Sequence, residues 1–308
     1  MKKTMKNRLL TLLLALALLG SLLAGCSGST DKAITIKIGS QGYAEVEILA
    51  EIFKAVVEAK TDHNVEHVRS LGSAMAGFQS TKSNDLQAFT GFTGTFFLGL
   101  LEQTMTEENR DPRTVYKITR DLMDEQHDMY CAEPWGYNNT YGIAVARQWA
   151  EENDVSTQSD MAAFAPEMKL AVDQTWLNYP GQGYNEYVAT YGFEYKEVIP
   201  MDLGLIYQAY ANDEVDAVNC YTTDGQLVAM DLVVLEDDKN FNPPYNGILV
   251  LRNDIVTQYP EVKAVVDAFA GQIDTATMQE LNRQVSVDKE DPAAVAQRFA
   301  RDKGWLDA

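Results

Sequence analysis

Residues 33–60 read AITIKIGSQGYAEVEILAEIFKAVVEAK, and the change of period within that stretch decides the fold. Residues 33–38 alternate apolar and polar side chains and stop at Gly39-Ser40, the pattern of a half-buried strand entering a loop. From residue 43 to 59 the period lengthens, and Ile48, Leu49, Ile52, Phe53 and Val56 fall on one side of a helix. The rhythm then repeats: 65–68 reads as a strand, 74–82 as a helix, 85–89 as a third strand, and 95–102 begins another helix. Strand–helix–strand units of this kind predict an α/β lobe around a largely parallel sheet, since parallel neighbours need a crossover.

A second lobe is expected from Tyr141 onward. Strands are predicted at 141–146, 168–172, 195–199 and 215–218, a helix at 203–212, and a strand with a turn over 231–240. Residues 247–251 then return to the first sheet, and helices at 261–270, 275–285 and 292–303 close the chain, with Thr275 as a candidate cap. Lobe 2 (139–242) is thus an insertion into lobe 1 (33–138 and 243–308). The expected hinges are 135–141 and 241–245. Ligands of such folds bind outside strand carboxyl ends, here between the lobes.

Ahead of this domain, Lys2, Lys3, Lys6 and Arg8 precede an almost wholly apolar run, and Leu23-Ala24-Gly25-Cys26 places small residues before a cysteine. That layout predicts a secretory signal over 1–25, lipidation of Cys26 and a polar linker over 26–32, anchoring the domain outside the cytoplasmic membrane. A retained membrane helix is the competing reading. The formal net charge of −20 grows more negative once those four cations leave. It argues against nucleic acid and anionic lipid as partners and weakly favours cationic solutes. Cys131 and Cys220 leave a disulfide or two buried thiols open, because spacing alone does not choose. His63 and His67 flank a predicted strand without a further ligand motif, so no zinc site is expected. The sequence has no Gly-x-Ser-x-Gly elbow, Walker loop or Cys-x-x-Cys, and neither enzyme chemistry nor a cofactor is expected.

Four distant segments each set a ring beside turn-forming or hydrogen-bonding residues: Gly91-Phe92-Thr93-Gly94-Thr95, Asn138-Asn139-Thr140-Tyr141, Cys220-Tyr221-Thr222-Thr223-Asp224-Gly225 and Asn242-Pro243-Pro244-Tyr245. A methylated ammonium has no N–H to donate, so a protein grips it chiefly through aromatic faces. Taken singly, such a ring is more often core than site. Read together with Ile38-Gly39-Ser40, Pro200-Met201-Asp202-Leu203-Gly204-Leu205, Thr223-Asp224-Gly225-Gln226 and Met278-Gln279-Glu280-Leu281-Asn282, these segments give the chain a specific likeness. In order, and along nearly the whole mature length, it resembles the substrate-binding proteins of bacterial ABC importers for glycine betaine, choline and carnitine.

The resemblance implies a two-lobed periplasmic-binding-protein fold of type II that closes on a quaternary ammonium ligand. It further implies a monomer that delivers this ligand to an ABC permease and its ATPase. Phe92, Tyr141, Tyr221 and Tyr245 take the positions of the family's aromatic cage, Phe92 where tyrosine is usual. At roughly 0.5–2 kcal/mol per ring, four rings leave part of the about 8 kcal/mol of micromolar binding to shape and desolvation. The ligand's tail meets a departure. Gln41 and Tyr179 stand where betaine-binding members typically carry lysine and arginine, and neither can clamp a carboxylate as those do. Val46 replaces a family glutamine. Thr95 remains as a hydroxyl at a strand-to-helix turn, Asn139 as either a pin for a cage backbone or a turn residue, and Asp224 as the start of a helix. These departures favour a neutral hydroxyl tail, as in choline, over the carboxylate of glycine betaine, with other methylated amines, including ergothioneine-like ones, still open. A lipid-anchored sensor for a membrane receptor is the alternative use of the same lobes.

Overall fold

The computed structural model describes residues 33–307, so the predicted signal, Cys26 and most of the linker lie outside the described residues. From Thr35 onward the chain builds two α/β lobes, each around a five-stranded sheet. β1 (Thr35–Gln41) and β2 (Asn64–Leu71) pair in parallel across α1 (Ala44–Lys60), whose Ile48, Leu49, Ile52 and Phe53 are fully buried. α2 (Ala74–Lys82) starts where expected, capped by Ser73 on the Ala76 N–H at 3.1 Å.

β3 (Ala88–Phe92) begins three residues later than the alternation suggests. The Asp85 and Leu86 N–H groups are used in closing α2, donating to the Ser80 carbonyl at 2.9 and 3.0 Å. A six-residue π-helical turn, Thr95–Leu100, then replaces the expected α-helix; the Leu101 N–H reaches back to Phe96 O at 2.8 Å. α3 (Pro112–His127) and β4 (Met129–Cys131) finish this half of the first lobe.

The second lobe comprises β5 (Tyr141–Ala146), α4 (Arg147–Glu152), β6 (Lys169–Asp173), α5 (Gln174–Leu177), α6 (Tyr184–Tyr191), β7 (Glu197–Met201), α7 (Leu203–Ala211), β8 (Ala217–Tyr221), α8 (Gly225–Ala229) and β9 (Leu232–Val234). The chain returns as β10 (Gly247–Arg252), followed by α9 (Asn253–Gln258), α10 (Pro260–Asp267), α11 (Thr275–Ser286) and α12 (Pro292–Asp302). Strand orders are β2-β1-β3-β10-β4 and β7-β6-β8-β5-β9.

The expectation of a largely parallel sheet is corrected to mixed sheets. β10 runs antiparallel to β3 and β4, and β5 antiparallel to β8 and β9. Both are the strands entered just after the chain changes lobe. They start at the cleft, where β1, β3 and β8 end, and so must point the other way. The two crossings also pair with each other. Asn138 and Asn246 form an antiparallel bridge, and the Asn139 N–H donates to Tyr245 O at 3.0 Å.

Asp274, not Thr275, caps α11, its carboxylate accepting from the Thr277 N–H at 2.7 Å. This helix follows the return to the first sheet, yet it packs on α8 of the second lobe. A Cβ at Gly225 would lie 2.4 Å from the Arg283 backbone nitrogen, so only glycine permits that approach. Cys131 and Cys220 are buried free thiols in different sheets. His67 bridges Ser40 Oγ (2.7 Å) and Glu51 Oε1 (2.8 Å), while His63 meets Glu261 at 2.8 Å. Among the described residues no group of three or more His, Cys, Asp or Glu side chains is placed to hold a metal ion.

Candidate functional site

A cavity of about 600 Å³ opens between the lobes, within the ~300–1,000 Å³ typical of small-molecule sites. All eight residues singled out from the sequence line it: Gln41, Phe92, Thr95 and Tyr245 from the first lobe and its return crossing, Asn139 from the outgoing crossing, and Tyr141, Tyr179 and Tyr221 from the second lobe.

Local structure explains how the rings converge. Phe92 ends β3 and is paired with Gly247, the first residue of β10. Two residues on, Gly94 admits the Tyr245 ring: a Cβ there would fall 2.6 Å from Pro244 O and 2.7 Å from Tyr245 Cδ1. Tyr245 is pinned by its backbone, its N–H donating to Asn138 Oδ1 at 2.6 Å. Asn139, open in sequence between a pin for a cage backbone and a turn residue, holds the Tyr245 carbonyl through its own N–H at 3.0 Å, while its side-chain amide donates to Glu45. Tyr141 and Tyr221 are direct cross-strand partners on β5 and β8. Their rings stack at 4.7 Å between centroids, inclined by 26°, and their hydroxyls share a hydrogen bond of 3.0 Å. The two form one double-layered wall. Burial raises all three tyrosine hydroxyls above their ordinary range, so they remain neutral phenols.

Gln41 is carried by the end of β1, where the register with β2 shifts and Ser70 adopts a left-handed backbone (φ 61°). The Ser40–His67–Glu51 chain, extended by Arg69 to Glu51 at 2.5 Å, braces that strand end. Tyr179 sits on the loop between α5 and α6 and is 37% exposed, which places it at the cavity's edge. Val46, by contrast, is fully buried and lines nothing in the cavity.

Sequence reasoning passed over Glu45 and gave Asp224 only the start of a helix. Glu45 and Asp224 both line the cavity, and no lysine or arginine does so among the described residues. Asp224 begins α8 as expected, but its carboxylate accepts from the Tyr207 hydroxyl (2.7 Å) and the Tyr221 N–H (3.1 Å) instead of capping the helix. Burial pushes it up to about 6, against the pull of those two donors. Glu45 is also raised by burial, opposed by hydrogen bonds from Thr223, Asn139 and Asn282. Lysines and arginines lie over the rings of Phe78, Tyr116, Tyr130, Tyr191 and Phe299, none of which faces this cavity. Among the described residues, the π faces at the site therefore hold no lysine or arginine.

Residues 34–302 match the family described as the substrate binding domain of ABC-type glycine betaine transport systems. The chain belongs to this family. It is 32% identical to the carnitine transport binding protein OpuCC of Listeria monocytogenes serotype 1/2a (strain 10403S), over 98% of this chain and 99% of the relative. A glycine-betaine-binding protein of Pseudomonas aeruginosa (strain PAO1) is 30% identical over 94% of this chain and 96% of its own length. Among solved structures, a glycine betaine/carnitine/choline ABC transporter protein superposes with a TM-score of 0.84 at 30% identity, covering 88% of this chain and all of that one. Membership makes the chain the extracytoplasmic solute-binding component of an importer, with a two-lobed fold and no enzymatic activity. It hands a small solute to its permease. Among the described residues no helix is long and apolar enough to cross a membrane.

Proposed function

We propose that this family member captures a quaternary ammonium compound with a neutral tail, choline-like in preference to betaine-like, inside a cage of Phe92, Tyr141, Tyr221 and Tyr245. The observation that carries this reading is the charge of the cavity wall, which among the described residues has two carboxylates and no cationic side chain. A permanent cation is welcome beside aromatic faces and carboxylates. A ligand carboxylate would lose its hydration there without a charge-assisted partner in return. Gln41, Thr95 and Tyr179 supply uncharged polar groups suited to a hydroxyl.

The rest of the assignment follows the sequence. The mature chain works as a monomer, tethered through lipidated Cys26, with hinges at the two crossings, 135–141 and 241–245. Calorimetric titration of residues 27–308 with choline, glycine betaine, carnitine and ergothioneine tests the reading. Choline should bind more tightly than glycine betaine. Tighter glycine betaine or carnitine would overturn the tail preference, and no binding by any of the four would overturn the cage.

A further inference from the structure

Glu45 stands in the first turn of α1 and is 3% exposed, yet its carboxylate is bonded by Asn139, Thr223 and Asn282, all from other elements. Its Oε1 accepts from Asn139 Nδ2 at 3.0 Å. Its Oε2 accepts from Thr223 Oγ1 at 2.6 Å and from Asn282 Nδ2 at 3.0 Å. These donors come from the outgoing crossing, from the second lobe between β8 and α8, and from α11. Asn282 Nδ2 also donates to the Thr223 carbonyl at 2.8 Å, so α11 and the second lobe are held together at the same point. Among the described residues no lysine, arginine or histidine pairs with the carboxylate, and the hydrogen bonds above hold it.

We propose that Glu45 is a positioning residue that latches the second lobe and α11 onto the first, and thereby sets the population of the ligand-competent closed state. This rests on the binding reading given above. The contact between Glu45 and Thr223 exists only while the lobes are close, because a hydrogen bond does not survive a separation of more than about 3.5 Å. Opening would hand the carboxylate to water. The same carboxylate borders the cavity, so a bound ligand that excludes water strengthens the latch, and the latch in turn raises affinity. An apparent Kd equals the intrinsic value divided by the competent fraction, which couples the two quantitatively.

The test uses Glu45→Gln, which removes the charge at constant shape, Thr223→Val, which removes the second lobe's donor, and the double variant. Each single change should raise the Kd for choline about tenfold or more, through faster dissociation. Small-angle scattering of the ligand-free variants should show a larger radius of gyration than the parent. The double variant should bind no worse than Glu45→Gln, since both delete one contact. Parent-like affinity, dissociation and scattering in both single variants would overturn the latch. Should Glu45→Gln fail to fold, Thr223→Val decides by the same readouts. Should the parent bind no methylated ammonium, the ligand reading falls, while the ligand-free scattering still decides the latch.

Discussion

Replacing Gln41 by lysine probes the reason for the proposed ligand preference. Gln41 lines the cavity from the end of β1, on a strand end braced by the 2.7 Å contact of Ser40 with His67. A lysine there would be the first cationic side chain in a wall that already holds Glu45 and Asp224. Both choline and glycine betaine carry the ammonium, so repulsion from the new charge weakens both. At an effective dielectric of about 20 and ~6 Å that repulsion is about 3 kcal/mol, less after screening. Only glycine betaine has a carboxylate to answer with, and one charge-assisted hydrogen bond contributes about 1.5–3 kcal/mol. The common repulsion cancels in the ratio of the two affinities. That ratio should therefore move toward glycine betaine by about 10–150-fold. Paired calorimetric titrations measure it, with thermal unfolding as a check that the fold is intact. A ratio changed by less than about threefold in a folded variant would refute the argument that wall charge sets the preference.

Further tests address single features. Tyr221→Ala removes a face of the proposed cage and its stacked partner's support, and should weaken binding by about 1–3 kcal/mol without unfolding the protein; Tyr221→Phe, which loses only the hydroxyl pair, should cost less than about 1.5 kcal/mol. Equal effects of the two in titration would remove the ring from the site. Asp224 titrates near 6 in the fold against an ordinary 3.8, so it holds its proton more tightly folded than unfolded. Its contribution to stability is full below about pH 4 and is lost as pH rises through about 6; Asp224→Asn should flatten denaturant-measured stability over that window by about 1–3 kcal/mol. An unchanged pH profile would contradict this. Gly225→Ala must push the α8 and α11 backbones apart, which should lower stability by about 1–3 kcal/mol, and a parent-like unfolding curve would show that the contact yields freely. Burial raises both the Cys131 and Cys220 thiols, so a thiol reagent at pH 8 should modify them only after denaturation, followed spectrophotometrically.

The sequence by itself determined whatever is set locally. The switch of period from two to 3.6 within 33–60 marked β1 and α1 because an alternating run can hide one face only as a strand, and the later run only as a helix. Tyr141–Ala146 and Ala74–Lys82 were legible for the same reason. Phe92, Tyr141, Tyr221 and Tyr245 could be named because each sits beside turn residues at a strand end, within motifs shared with a family. Tertiary structure alone decided the rest. The direction of β5 and β10 depends on the chain arriving from the other lobe, which no local pattern encodes. β3 started late because its first residues were used in closing α2. Glu45 reads in sequence as one of several acids in a helix whose early turns are rich in them; only burial against Asn139, Thr223 and Asn282, up to 237 positions away, turns it into the join between lobes. Local periodicity reports which face of an element is dry, but the charge of a cavity is a sum over side chains that meet only when the whole chain has folded.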